Sequence, residues 1–342
     1  MIELKSLSRR ELEELVTRLG QPKFRAGQLF HWLHAGAESF EEMTNLPQAL
    51  RTQLREQTRL TVPQVVRKQV SKLDGTIKYL WRLSDGNCIE SVLMSYQHGN
   101  SICVSSEVGC QMGCAFCAST LGGLVRRLSA GEILDQIIFV QKESGRKVSN
   151  IVLMGIGEPL DNFEAVMRFL ELVNDPDGLG IGMRHISLST CGLADKIDKL
   201  ASYRLQLTLS VSLHAPDDAS RSRLMPVNRA VNVDRLMESC RNYFAATGRR
   251  ISYEYALVDG INDRDWQADL LARRLGDLPS HVNLITLNEV RESPLKPSRR
   301  LRAFQQRLEQ QGITVTVRRR LGRDIDASCG QLRRKTLGIG ES

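Results

Sequence analysis

This chain lacks several features whose absence narrows what it can be. Its longest apolar runs, such as Ile151–Met154 and Val282–Leu287, are strand-sized and fall far short of the ~18–20 apolar residues a membrane span requires. Charges begin at Glu3, so Met1–Arg10 has no apolar stretch of the secretory-signal kind, and a cytoplasmic location is the expectation. No internal repeat, low-complexity tract or Gly/Ser linker interrupts the sequence, and only 10 of its 342 residues are proline. Disorder, collagen and coiled coil are thereby excluded as descriptions of the whole chain.

What is present is ordinary in bulk and unusual in detail. With 42% hydrophobic and 25% charged residues, 342 residues can form one large α/β domain with an appendage, or two medium domains. Lys plus Arg number 47 against 39 acidic residues, a net +8. Between Arg291 and Lys335 there are 13 basic and 4 acidic side chains, a local +9, so the rest of the chain sums to −1. The basicity belongs to the C-terminal segment, where it is either a solvated surface or a contact for a polyanion.

Patterning divides the chain. Apolar residues at three-to-four spacing predict helices over Arg10–Leu19, Arg25–Leu33 and Pro47–Thr58. Val65–Val70 and Ile77–Leu83 flank Asp74-Gly75, a hairpin signal, with Cys88–Met94 as a third strand. From residue 101, β-branched runs alternate with amphipathic helices. Strands are expected at Ser101–Ser106, Asn150–Met154, His185–Thr190, Gln206–Leu213, Ile251–Leu257 and His281–Leu287, with Ile313–Val317 as a possible closing strand. Helices are expected at Leu193–Ala201, Val233–Thr247, Arg264–Leu275 and Ser298–Gln311. Ser129 with Glu132 forms a capping box for a helix running to Gly145, and Asp161 with Glu164 is read as repeating it. Six βα units imply parallel strands and a partial (β/α)6 TIM-like barrel, an α/β fold whose site collects at the C-terminal strand ends. The expected division is a small α+β N-terminal domain (1–95), a barrel core (96–320) and a C-terminal tail (321–342).

The eight cysteines carry the chemistry. In a reducing compartment they are metal-binding, catalytic or buried rather than paired in structural disulfides. Cys110, Cys114 and Cys117 form a C-x3-C-x2-C loop after the first barrel strand, with no second cysteine pair of the kind zinc knuckles use. A 4Fe-4S cluster on three thiolates leaves one iron open to a substrate or cofactor. Cys240 lies on the stripe Leu236, Met237, Cys240, Phe244 and reads as core; Cys88 reads as structural, and Cys191 sits near the site without an assigned role.

At these residues the sequence resembles the radical S-adenosylmethionine (SAM) enzymes. Val104–Cys110, Met154–Leu160, Ser210–Pro216 and Asp324–Leu332 narrow the resemblance to the adenine C2-methyltransferases of large-subunit ribosomal RNA and transfer RNA, over nearly the full length. The resemblance implies one 4Fe-4S cluster per chain on Cys110, Cys114 and Cys117. It also implies SAM held by Gly157, Glu158, Ser189, Ser212, Leu213, His214 and Asn288. Cys329 would be the methyl carrier, Cys103 the resolving thiol and Glu90 the base that removes the proton from carbon 2. A carrier is chemically required, because carbon 2 of adenine is electron-poor and will not attack a sulfonium methyl.

The implied partners are 23S ribosomal RNA before full subunit assembly, transfer RNA, and a one-electron donor such as flavodoxin or ferredoxin with its reductase, around a monomeric enzyme with no membrane. Arg318–Arg320, Arg323 and Arg333–Lys335 flank Cys329, so phosphate contacts would lie beside the chemistry, on an unpaired or flipped adenine. Two other readings compete. One is a related enzyme that methylates carbon 8 and confers antibiotic resistance, against which Glu158-Pro159-Leu160 stands. The other is a non-enzymatic RNA-binding protein holding zinc through the three cysteines and His214 or another residue.

Overall fold

The computed structural model describes residues 1–288, 293–325 and 330–338. Its main sheet has ten strands whose spatial order is their chain order. They are β1 (Gln64–Val70), β2 (Ile77–Arg82), β3 (Cys88–Tyr96), β4 (Gly99–Cys103), β5 (Val148–Leu153), β6 (Ile186–Thr190), β7 (Thr208–Ser212), β8 (Ile251–Leu257), β9 (Ser280–Thr286) and β10 (Val315–Val317). The first three pairings are antiparallel, and every pairing from β4–β5 to β9–β10 is parallel. The predicted βα alternation is therefore present, with a short seventh parallel strand. That strand does not close the barrel: β10 is one edge of the sheet and β1 the other. β3 pairs with β4, so the antiparallel meander continues the barrel sheet through Val92↔Cys103.

The helices are α1 (Arg9–Arg18), α2 (Phe24–His34), α3 (Gln48–Gln57), α4 (Ala130–Ser144), α5 (Phe163–Asn174), α6 (Ala194–Ser202), α7 (Asp218–Leu224), α8 (Val233–Thr247), α9 (Asp265–Leu275), α10 (Leu301–Gln310) and α11 (Gln331–Leu337). Leu188, Val211, Tyr253 and Leu284 on the strands are fully buried with Leu200, Leu236 and Cys240 on the helices. Each such side chain contributes about 1.5–3 kcal/mol of transfer free energy. The N-terminal helices are tied to the barrel by a buried ion pair, Lys5 Nζ to Asp135 of α4 at 2.5 Å.

The Ser129–Glu132 box forms as read, and α4 stops at Gly145 in the left-handed region. The second box does not form. The N-cap of α5 is Asn162, which makes no capping bond. Its amide donates instead to the carbonyls of Ser106 and Leu128, at 2.9 and 2.7 Å, while Asp161 pairs with Arg127. Long-range pinning of a buried loop outcompetes the local cap. Helices α7 and α11 and the short antiparallel pair Glu107–Gly109 with Leu124–Arg127 carried no sequence signal strong enough to predict them.

Candidate active site

A cavity of about 670 Å³ opens at the C-terminal ends of β4 to β9. Of the residues singled out in the sequence, Cys103, Cys110, Cys114, Cys117, Gly157, Glu158, Ser189, Ser212, His214 and Asn288 all line it. Leu213 does not: its side chain is fully buried, and only its backbone makes polar contacts here, its N–H donating to Glu254 O and its carbonyl accepting from Arg221. Cys191 lines the cavity, Cys240 lies in the core, and Cys88 packs with Leu80 and Leu332.

The cysteine loop is bracketed by the Glu107–Gly109/Leu124–Arg127 pair and turned by Gly109 at φ +82. Cys117 N–H donates to Cys114 O at 3.0 Å and Ala115 N–H to Leu224 O of α7 at 2.9 Å, so the loop is folded on itself and fastened to the barrel. Burial pushes the Cys110 thiol up to about 12, and burial together with the neighbouring thiols raises Cys114 as well. Such thiols become thiolates when a cationic centre compensates them. Among the described residues no three His, Cys, Asp or Glu side chains are gathered for a single metal ion. Three thiols on one loop, with no further Cys or His among the described residues gathered to them, fit a centre that takes three protein ligands better than a four-ligand structural zinc.

Arg221 supports that fit. It is fully buried and donates to Cys191 O (2.6 Å), Leu213 O (3.1 Å) and Asn228 Oδ1 (2.9 Å). Among the described residues no carboxylate lies within ion-pair distance of it. A buried unpaired cation is costly, and ligated thiolates at the adjoining loop would supply the missing negative charge.

The other strand exits are pinned by buried polar side chains. Gln136 of α4 exchanges two hydrogen bonds with the backbone of Ser105, both 2.8 Å. Asn262 donates to His214 O and Ala256 O and accepts from Val258 N–H. His214 sits at φ +56, and its Nδ1 accepts from Ala256 N–H at 2.9 Å, so the proton of the neutral ring is on Nε2. Burial lowers its pKa to about 3, which keeps the ring neutral. None of Gln136, Arg221 or Asn262 stands out in sequence, since each is one polar residue in an otherwise ordinary segment.

Glu158 is buried, and its carboxylate accepts from Leu160 N–H (3.0 Å) and Cys191 N–H (2.7 Å), linking the exits of β5 and β6. Its own N–H donates to Glu107 Oε2 at 2.9 Å. Burial, with Asp161 and Glu158 close by, raises Glu107 to about 8. Gly157, at φ +111, is a glycine for a reason inside the protein: a Cβ there would come within 2.6 Å of Glu107 Cβ and 2.7 Å of Ser106 Oγ.

Glu90 is not solvent-facing and lies just beyond the cavity lining. It is on the same face of β3 as Val92, the cross-strand partner of Cys103, which puts Glu90 and Cys103 in a diagonal relation. Its carboxylate pairs with Lys78 at 2.9 Å and accepts from the backbone N–H groups of Gly330 and Arg333, each at 2.6 Å. Gly330 has φ +78, and a Cβ there would lie 2.8 Å from Ser119 N, two residues beyond Cys117. Cys329 itself lies outside the described residues.

Comparison with known proteins agrees with this geometry. Residues 104–271 match the radical SAM superfamily, and residues 2–60 match the ribosomal RNA large subunit methyltransferase N-terminal domain. A probable dual-specificity RNA methyltransferase RlmN from Alkaliphilus metalliredigens is 49% identical over 98% of this chain and 96% of its own length. One of the same description from Lachnospira eligens is 51% identical over 98% and 97%. The chain belongs to the RlmN family. The crystal structure of a radical SAM methyltransferase from Sphaerobacter thermophilus superposes with a TM-score of 0.91 at 45% identity, covering 97% of this chain and 99% of that one. As an RlmN-type radical SAM RNA methyltransferase the protein uses a 4Fe-4S cluster and SAM, which makes the zinc-binding module the wrong reading of the three cysteines. No helix among the described residues is long and apolar enough to cross a membrane.

Proposed function

We propose that this enzyme methylates carbon 2 of an adenine in 23S ribosomal RNA, before the subunit is fully packed, and in transfer RNA, with Cys329 as methyl carrier and two SAM molecules per turnover. The observation that carries this reading is the seat of Gly330. The residue next to Cys329 is held by Glu90, on the strand paired with that of Cys103, and packs on Ser119 beside the cysteine loop. This seat of the residue after Cys329 supports reading Cys329, Glu90 and Cys103 as partners in one reaction.

In this scheme the Cys329 thiolate takes the methyl group of one SAM by direct displacement, with S-adenosylhomocysteine as the leaving group. Cys110, Cys114 and Cys117 would hold the cluster, which would supply the one-electron chemistry that turns the second SAM into a radical able to take a hydrogen from that methyl group, and would take back the surplus electron once the carbon has added to the base. Glu90 removes the proton from carbon 2. Cys103 then attacks the Cys329 sulfur; the sulfur–carbon bond breaks, the carbon keeps the electron pair and gains a proton, and a disulfide forms. Glu158, Ser189, Ser212, the Leu213 backbone, His214, Asn288 and the turn at Gly157 frame SAM. Arg318, Arg319, Arg320 and Arg323 line the cavity mouth, where they would meet phosphates.

The N-terminal 1–95 segment adapts the enzyme to RNA shape, residues 96–320 form the catalytic core and 321–342 the carrier tail. A flavodoxin or ferredoxin supplies electrons to a cytoplasmic monomer. Nucleoside mass spectrometry of ribosomal and transfer RNA from a strain lacking the gene tests the reaction: 2-methyladenosine should disappear from both. Loss of 8-methyladenosine instead would refute the carbon 2 assignment.

A further inference from the structure

Nothing in the proposed chemistry uses Lys78, yet it is a buried lysine on β2 with no side-chain exposure, paired with a Glu90 that is itself 3% exposed. Lys78 lies opposite Val92, diagonal to Glu90 on the same sheet face. Glu90 spends both oxygens on the start of α11, Oε2 taking Gly330 N–H and Oε1 taking Arg333 N–H. Apolar contact reinforces the seat, since Leu332 is fully buried against Leu80 and Cys88 of β2 and β3. On the other side of residues 326–329 the chain is fastened to the same meander. Asp324 accepts from Ser71 Oγ (2.6 Å) and Lys72 N–H (2.7 Å), and Asp74 accepts from Gly322 N–H (2.8 Å). The segment that carries Cys329 is bracketed on both sides by carboxylate fastenings between the tail and the β1–β3 meander.

A carboxylate that accepts two backbone hydrogen bonds in a buried site is stable only if its charge is compensated. We propose that Lys78 is a positioning residue for methyl transfer: it neutralises Glu90, and Glu90 in turn holds the chain at Gly330 and so fixes the tail that presents Cys329. This rests on the reading of Cys329 as methyl carrier. Without Lys78 the carboxylate loses its close ion pair and keeps only the more distant field of Arg333, which favours release of the tail and hydration of Glu90.

The test uses the full-length, cluster-loaded enzyme under anaerobic conditions. In Lys78→Met, amide hydrogen exchange over residues 330–338 should rise by on the order of tenfold while β5–β7 exchange as in the parent. The kcat for RNA should fall by a similar factor with the RNA KM within about twofold, and Lys78→Arg should restore both. Should Lys78→Met not fold, Glu90→Gln keeps the side-chain shape, removes the charge and reads the same tail exchange. Unchanged tail exchange in both variants overturns the proposal, as does a loosened tail with undiminished kcat. Cys329→Ala, run alongside, reports on the carrier reading: turnover without Cys329 removes the carrier, whereas an inactive Cys329→Ala with a Lys78→Met indistinguishable from the parent removes only the role of Lys78.

Discussion

Replacing Gly157 by alanine separates two reasons for a glycine at the exit of β5. If the glycine exists to let a ligand approach the backbone, the variant should bind SAM poorly and fold normally. The packing says otherwise. An added Cβ would lie 2.6 Å from Glu107 Cβ, 2.7 Å from Ser106 Oγ and 2.8 Å from Glu107 Cγ, at a backbone φ of +111. Glu107 cannot simply swing aside, because its Oε2 holds Glu158 N–H at 2.9 Å. Backbone strain of roughly 1–3 kcal/mol adds to an overpacking cost of roughly 1–3 kcal/mol, about 4 kcal/mol together. At roughly 2 °C per kcal/mol for a chain of this size, Gly157→Ala should lower the melting temperature by about 8 °C. Calorimetry on metal-free protein, where no ligand contributes, is the assay. Melting within about 1 °C of the parent, combined with lost SAM binding, would refute the packing argument and restore the ligand-approach one.

Three further outcomes are expected. Glu107 has a folded pKa of about 8 against an ordinary 4.5, so the native state holds an extra proton between those values and stability is lost as pH rises from 4.5 to 8. Glu107→Gln stays neutral, and its loss of stability between about pH 5.5 and 8.5 should be smaller by at least about 1 kcal/mol in denaturant titrations; an unchanged profile would place the proton elsewhere. Cys103→Ala should accumulate a covalent RNA–protein adduct through Cys329, visible as an RNase-sensitive band shift, and Cys329→Ala should show none; normal turnover of Cys103→Ala would contradict the resolving role. Replacing Arg318, Arg319 and Arg320 by Gln should weaken RNA binding across sequences and reduce the slope of log affinity against log salt by about 2, and an unaltered slope would move the phosphate contacts away from the cavity mouth.

The barrel was legible because its signals are periodic. β-Branched runs between amphipathic helices gave β5 to β9 to within about two residues, and Asp74-Gly75 marked the β1–β2 hairpin, with Gly75 at φ +71. The C-x3-C-x2-C loop was legible because three thiols within eight residues stand out by spacing, although choosing an iron–sulfur cluster over zinc needed the family resemblance. Where the reading failed, a tertiary partner had overruled a local rule. Asp161 and Glu164 have the spacing of a capping box, but Arg127 and Gln111 claim Asp161, and Asn162 is drawn to Ser106 and Leu128. Glu90 resembles the solvent-facing acid of an alternating strand until α11 and Lys78 are seen to enclose it. Leu213, named for the site by resemblance, has a fully buried side chain and only its backbone engages Glu254 and Arg221, which no side-chain pattern announces.

The pins at the strand exits explain why the missed residues matter to chemistry. Loops beyond strand ends cannot satisfy their backbone groups by regular sheet pairing, so the buried carbonyls and N–H groups that find no backbone partner need a side-chain one. Gln136 serves the exit of β4, Glu158 those of β5 and β6, Arg221 those of β6 and β7, and Asn262 those of β7 and β8. Each is a polar group committed to a backbone in a low-dielectric setting, where a satisfied bond is strong and a broken one expensive. Five strand ends bound in this way hold their lining residues in fixed relation, and the C-terminal tail meets the meander by the same device, carboxylates gripping backbone N–H groups. The hydrogen bonds that pin the barrel mouth join residues far apart in sequence. Long range is also why a sequence read by local pattern finds the thiols and misses what holds them in place.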